Sequence, residues 1–111
     1  MNILWLKAFL LTQLLEIPVY VFGMGKEKSL PSRIAIAFGA SALTHPIVWF
    51  VFPRLRPIGV SFVAMLVVAE IFAVVAEAFY LRWCGVRRAF LWSFLANAFS
   101  VAIGLAIRFW G

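Results

Sequence analysis

The sequence predicts an all-α integral membrane protein in which four transmembrane helices form one compact bundle. Of its 111 residues, 66% are hydrophobic and 13% are charged, whereas soluble domains carry about 45–50% apolar and about 25% charged residues. A short soluble chain buries only a modest fraction of its surface, so this apolar excess fits a lipid environment. Four apolar runs are each about 20 residues long, the helix length that crosses about 30 Å of hydrocarbon.

The first two predicted spans are separated by a charged segment and followed by a proline-rich turn. Span one covers about residues 3–23, and the segment after it contains charges and a proline, namely Lys26, Glu27, Lys28 and Pro31. Span two covers about residues 33–52. It ends at residues 53–57, where Pro53 and Pro57 cannot continue a helix.

The last two predicted spans are separated by a short basic segment, and tryptophans mark most span ends. Span three covers about residues 58–82, and span four covers about residues 89–110. Indole rings concentrate at membrane–water interfaces, and the tryptophans near predicted span ends are Trp5, Trp49, Trp83, Trp92 and Trp110. All four spans belong to one predicted domain, residues 1–111, without an internal repeat.

The basic residues lie between the apolar runs rather than on one polar face. With a net charge of +6, this placement is typical of loops that face anionic headgroups, so we expect membrane lipids and no nucleic acid as partners. The side with the first and third connections has six basic residues. The side of the termini has three or four, namely Arg54, Arg56, Arg108 and Lys7. Because Lys and Arg favour the cytoplasmic side, we predict a multi-pass cell-membrane protein with both termini on the non-cytoplasmic side.

The sequence contains no common catalytic or cofactor motif. Cys84 is the only cysteine, which excludes an intrachain disulfide and a cysteine metal site. Neither a nucleophile-elbow nor an HExxH pattern occurs. The sequence therefore specifies no cofactor, metal or catalytic residue, and it favours a protein that is not an enzyme.

Each span carries polar side chains at helical spacing. Residues three, four or seven apart share a helix face, and the four sets are Gln13, Glu16 and Tyr20; Ser41, Thr44, His45 and Trp49; Glu70 and Glu77; and Ser93, Asn97, Ser100 and Gly104. Small and hydroxyl-bearing residues commonly pack transmembrane helices together. We assign that structural role to Ser41, Ser93, Ser100 and Gly104.

The ionisable members of these sets form the candidate site. An acidic side chain at mid-bilayer costs about 2.5–3.5 kcal/mol, so such residues usually belong to a site or relay. At 1.5 Å per residue, the predicted spans put Glu16, Glu70 and Asn97 about 18–21 Å from the side of the termini. His45 lies at about 10 Å, and Glu77 lies close to the opposite interface, where Arg82 or a Lys or Arg of a neighbouring loop is a candidate partner. We predict an ion, proton or substrate site made of Glu16, His45, Glu70, Asn97 and Glu77.

Pro18 and Pro46 each lie within two residues of an ionisable member of this site. A proline inside a helix frees the carbonyl four residues earlier, here those of Leu14 and Ala42. Such carbonyls persist in membranes where polar groups or water satisfy them. We therefore expect these two carbonyls to be candidate cation ligands.

Three functions fit this pattern. The first is translocation of protons, small cations or solutes by a homo-oligomer, because four helices are few to line a pathway. In length, span number and an early glutamate, Glu16, the chain resembles the small multidrug transporters, although it lacks the glycine and tryptophan motifs of that family's later spans. The second function is a non-catalytic accessory subunit of a larger membrane complex, in which the glutamates pair with a partner's basic groups. The third is an intramembrane enzyme that acts on a lipid through Glu16, His45 and Glu70.

Overall fold

The computed structural model describes residues 3–110, except for five side chains, those of Leu4, Leu55, Arg108, Phe109 and Trp110. The predicted interfacial anchor at Trp110 and the charge counted at Arg108 therefore lie outside the described side chains. Within the described residues there is no strand, and the four long helices are α1 Ile3–Met24, α2 Leu30–Phe50, α3 Phe62–Trp83 and α4 Ala89–Trp110. Each is long and apolar enough to cross a membrane. The predicted fold class is confirmed.

Helix α2 begins at Leu30, three residues before the predicted span. The hydroxyl of Ser29 accepts a hydrogen bond from the N–H of Ser32 at 3.3 Å, which caps the helix. Pro31 lies in the first turn, where N–H groups have no partner within the helix, so a proline there removes no hydrogen bond. The charged segment between α1 and α2 is therefore shorter than the sequence predicts.

Helix α3 begins at Phe62, four residues after the predicted start at residue 58. A 3-10 segment, Phe52–Ile58, follows α2 instead, and Gly59 then takes a φ of 99°, a conformation that favours glycine. The hydroxyl of Ser61 caps α3 by accepting a hydrogen bond from the N–H of Ala64 at 3.1 Å. Four residues correspond to about 6 Å along a helix, so every side chain on α3 shifts in depth.

The four helices form one antiparallel bundle. Each helix packs against its neighbours in the chain, and α1 also packs against α4. One end carries the connections 25–29 and 84–88, and we call it the loop end. The other end carries both termini and the 3-10 segment, and we call it the terminal end. The buried apolar core lies in the loop-end half, and its residues are Tyr20, Ala37, Ala40, Leu81, Val86, Ala89 and Ala96.

The outward faces of the bundle are apolar. Phe22 is 78% exposed and Trp83 is 85% exposed, and many other large hydrophobic side chains on all four helices are exposed as well. The bundle is 46 Å long, which exceeds the hydrocarbon thickness of a bilayer. Lipid chains are the medium that such a surface requires.

Two glycines allow close helix packing. A Cβ at Gly23 would overlap the indole of Trp92, and a Cβ at Gly39 would overlap the hydroxyl of Tyr80. At Gly104 a Cβ would meet nothing within 4 Å among the described residues. The packing role predicted for Gly104 therefore finds no contact in the described part of the chain.

Gly23→Ala is expected to destabilise the bundle by about 1–3 kcal/mol, because Trp92 must leave its packed position. Gly104→Ala is the matched control, since it adds the same methyl group to a transmembrane helix without a clash, and we expect a change below about 0.5 kcal/mol. Reversible unfolding in mixed detergent micelles, followed by helical circular dichroism, measures both values. Equal effects of the two substitutions would contradict the close packing of Trp92 on Gly23.

Candidate functional site

A cavity of about 110 Å³ lies between the four helices. This volume holds a few water molecules or one small cation. The structure brings all five predicted site residues to its wall, together with five others, so that the lining is Thr12, Glu16, Thr44, His45, Val48, Glu70, Ala73, Glu77, Asn97 and Ser100.

The carboxyl group of Glu77, in α3, accepts three hydrogen bonds. Its Oε1 accepts hydrogen bonds from the hydroxyl of Tyr20 at 2.5 Å and from Nδ2 of Asn97 at 3.1 Å. Its Oε2 accepts from the hydroxyl of Thr44 at 2.5 Å. The three donors belong to α1, α4 and α2, so this one carboxyl group joins all four helices. Its side chain is 1% exposed.

Glu16 of α1 lies beside this network. Its Oε1 accepts a hydrogen bond from the hydroxyl of Ser41 at 2.7 Å, and the residue is 2% exposed. Gln13, one turn earlier, does not line the cavity, since its Nε2 donates to the backbone carbonyl of Phe38 at 3.2 Å. The polar face predicted on α1 is therefore divided between the cavity and the contact with α2.

Glu70 and His45 line the cavity nearer to the terminal end, and both are half-buried. Within the described part of the chain, the Glu70 carboxyl makes no hydrogen bond or ion pair. Nε2 of His45 is buried without a hydrogen-bond partner there. The imidazole ring lies among aromatic rings, with centroid distances of 5.4 Å to Phe9, 6.0 Å to Trp5 and 6.1 Å to Trp49.

The depths of Glu70 and Glu77 differ from those predicted. Measured from Phe62, where α3 begins, Glu77 lies about 22 Å from the terminal end and Glu70 about 12 Å. Glu77 therefore shares a layer with Glu16 and Asn97 instead of approaching the opposite interface. The cause is the 3-10 segment, which delays the start of α3.

Two further predictions are corrected at this site. Glu77 pairs with neutral donors on the other three helices and not with Arg82, whose side chain is exposed. Helices α1 and α2 continue through their prolines, and neither Leu14 nor Ala42 lines the cavity, so the freed carbonyls are not ligands there.

Tyr20, Ser41 and Thr44 are site residues that the prediction omitted. All three lie on the polar faces that the sequence predicts, but helical spacing alone favours a packing role for Ser41 and specifies no role for the other two. The signal that could have identified them is their spacing. Tyr20 lies four residues after Glu16, and Ser41 lies three before Thr44, so each pair faces the same neighbouring helices.

Among the described residues, the cavity is lined by three glutamates and by no lysine or arginine. Like charges repel strongly in a medium of low dielectric constant, so ionised glutamates here need a cation or protons as compensation. Within the described residues, no three His, Cys, Asp or Glu side chains are arranged to hold one metal ion. The arrangement suits a proton or a small, partly hydrated cation better than a tightly coordinated metal.

Among the described residues, the cavity extends from its deep layer toward the terminal end only. The buried lining residues are Glu16, Thr44, Ala73, Glu77 and Asn97, and the four polar ones form the deep layer. On each helix, the half-buried lining residues lie on the terminal-end side of that layer, and they are Thr12, His45, Val48, Glu70 and Ser100. The apolar core closes the opposite side, where Tyr20 and Leu81 are fully buried.

Comparisons with known proteins give no further guide to this site. No protein-family model, no curated protein and no solved structure matches the chain.

Proposed function

We propose that the protein translocates protons or small cations across the membrane, with Glu16 and Glu77 as the binding groups. The observation that carries this proposal is one cavity inside helices of transmembrane length that is lined by three glutamates and, among the described residues, by no lysine or arginine. Ionisable groups at such depth are costly and usually belong to an ion or proton pathway.

The hydrogen-bond network supplies the coupling element of this proposal. Tyr20, Thr44 and Asn97 donate to Glu77 from three different helices. When a proton or cation arrives at this carboxyl group, it competes with these donors for the same oxygen atoms. Occupancy of Glu77 then changes the contacts that hold the four helices together, which couples binding to helix position.

The shape of the cavity supports access from the terminal end. A ligand enters from the terminal end past Glu70 and His45 and stops at the deep layer. In the orientation predicted from the basic residues, this end faces the non-cytoplasmic side. Passage to the cytoplasm requires the core around Tyr20 and Leu81 to open.

The homo-oligomer predicted from the sequence is not needed to complete this site, because one chain supplies all of its residues. The accessory-subunit alternative has less support, since the donors to Glu77 come from the same chain and no partner's basic group is required. Glu70, with no partner among the described residues, is the carboxyl group that suits such a pairing. Purification in mild detergent separates the two functions, because an accessory subunit co-purifies with other chains in fixed stoichiometry.

The proposal is tested by ion flux in proteoliposomes. Under an imposed pH or cation gradient, Glu16→Gln is expected to lower the flux at least about tenfold, since the amide removes the charge but keeps an acceptor for Ser41. Glu27→Gln is the control, because Glu27 is an exposed glutamate in the loop 25–29 and should leave the flux unchanged. The proposal would be contradicted if the unmutated protein gave no more flux than empty liposomes, or if Glu16→Gln kept the full flux.

A further inference from the structure

A second cavity lies at the loop end, outside the polar core of the bundle. It is a cleft of about 590 Å³ between the end of α3 and the start of α4. Its lining residues are of two kinds, three arginines (Arg82, Arg87 and Arg88) and apolar residues that include Val86, Phe90 and Leu91. This volume lies in the range of small-molecule binding sites.

The positive charge of the cleft is not neutralised by the chain. Arg82, Arg87 and Arg88 are all exposed, and within the described residues none of their guanidinium groups makes a hydrogen bond or an ion pair. The ammonium nitrogen of Lys28 lies nearby, 3.6 Å from the position that a Cβ on Gly85 would occupy. Glu27 is the one acidic residue in the segments 25–29 and 84–88. The cleft therefore attracts an anion.

The backbone of Arg88 gives an independent indication of a binding role. Arg88 has a φ of 54°, in the left-handed region that glycine adopts most easily. Residues other than glycine are uncommon there and cluster at ligand sites. Its carbonyl accepts the N–H of Trp92 at 3.1 Å in the first turn of α4, so the conformation is fixed by the helix start. A glycine would adopt this φ with less strain, whereas the arginine adds a charged side chain to the cleft.

The cleft lies where phospholipid headgroups are found. It is at the end of two helices of transmembrane length, beside Trp83, which is 85% exposed, as interfacial indoles are. Phe90 and Leu91 are exposed on α4 and line the same cleft as the three arginines. A phosphate that carries an acyl chain can contact both the arginines and the apolar residues, whereas free phosphate can contact only the arginines.

We propose that this cleft binds an anionic phospholipid, with the phosphate held by Arg87 and Arg88 and an acyl chain lying along Phe90 and Leu91. Arginine binds phosphate through paired N–H donors, which gives orientation as well as charge attraction. This site is independent of the central cavity and of its function.

Lipid binding to the purified chain in mild detergent tests the proposal, with phosphatidylglycerol as the probe and native mass spectrometry as the readout. The double variant Arg87→Gln/Arg88→Gly is expected to bind at least about tenfold more weakly. Glycine is chosen at position 88 because it suits the φ of 54°, so the fold should be retained, and circular dichroism checks this. Arg87→Gln alone, on an exposed side chain, should weaken binding about fivefold.

The matched control is Arg54→Gln/Arg56→Gln, which removes the same charge from exposed positions at the terminal end and should leave binding within twofold. Phosphatidylcholine should bind at least about tenfold more weakly than phosphatidylglycerol, and inorganic phosphate at the same concentration should not displace the lipid. Equal losses in the two double variants, or equal binding of the two lipids, would overturn the proposal. Displacement by inorganic phosphate would assign the cleft to the free anion instead.

Discussion

Glu77→Ala is expected to destabilise the bundle by about 2–4 kcal/mol. The Glu77 carboxyl accepts hydrogen bonds from the other three helices. Hydrogen bonds between transmembrane helices are worth about 0.6 kcal/mol on average and up to about 1.7 kcal/mol, and the truncated side chain also leaves a larger cavity. Unfolding in mixed micelles with increasing SDS, followed by circular dichroism, measures the change.

The three donors are not affected equally when the Glu77 carboxyl group is removed. Nδ2 of Asn97 also donates to the carbonyl of Ser93 at 2.9 Å, and the hydroxyl of Thr44 lies 3.5 Å from the carbonyl of Ala40. The Tyr20 hydroxyl has no other acceptor among the described residues. We therefore expect Tyr20→Phe in the Glu77→Ala background to recover about 1 kcal/mol, because it removes the orphaned donor.

Two variants separate hydrogen bonding from other effects. Glu70→Ala removes the same side chain from the same helix where it makes no hydrogen bond within the described residues, so a change below about 0.5 kcal/mol is expected. Glu77→Gln keeps an acceptor for Tyr20 and Asn97, and its amide can donate to Thr44 while the Thr44 hydroxyl turns to Ala40, so most of the stability is retained. If Glu77→Ala were as stable as Glu70→Ala, the network would not hold the helices together.

The four polar helix faces could be predicted from the sequence because a helix face is a local property. Glu16, Thr44, Glu77 and Asn97 lie on polar faces whose spacing follows from 3.6 residues per turn, whatever the neighbouring helices do. Apolar run length likewise predicts the four helices.

The depth of the α3 residues could not be predicted in the same way. Run length leaves helix starts uncertain by several residues, since Ile58 is as apolar as the span that follows it. The start of α3 depends on the 3-10 segment and on the cap by Ser61, and these place Glu77 rather than Glu70 beside Glu16. The donors to Glu77 come from residues up to 57 positions away in the chain. Local spacing in the sequence cannot predict contacts between residues so far apart.

Cysteine labelling is expected to show access to the cavity from the terminal end and none from the loop end. Ser93 and Ser100 suit the comparison because they lie seven residues apart on one face of α4, about 10.5 Å along the helix. Ser100 is half-buried and lines the cavity, whereas Ser93 is fully buried and donates to the carbonyl of Val74 at 2.7 Å. In a Cys84→Ser background, Ser100→Cys should react with a small charged thiol reagent at least about a hundredfold faster than Ser93→Cys. A buried thiol reacts only after local opening, which costs several kcal/mol.

The same variants test orientation and distinguish two mechanisms. In intact cells, a reagent that cannot cross the membrane should label Ser100→Cys if the terminal end is outside, and it should label Lys26→Cys, in the loop 25–29, only after permeabilisation. Rapid labelling of Ser93→Cys would mean that the cavity continues through the core, as in an open channel. No labelling of Ser100→Cys in permeabilised membranes would contradict access from the terminal end. A site that opens to one side at a time is what alternating access requires, because a pathway open at both ends dissipates the gradient that it is meant to use.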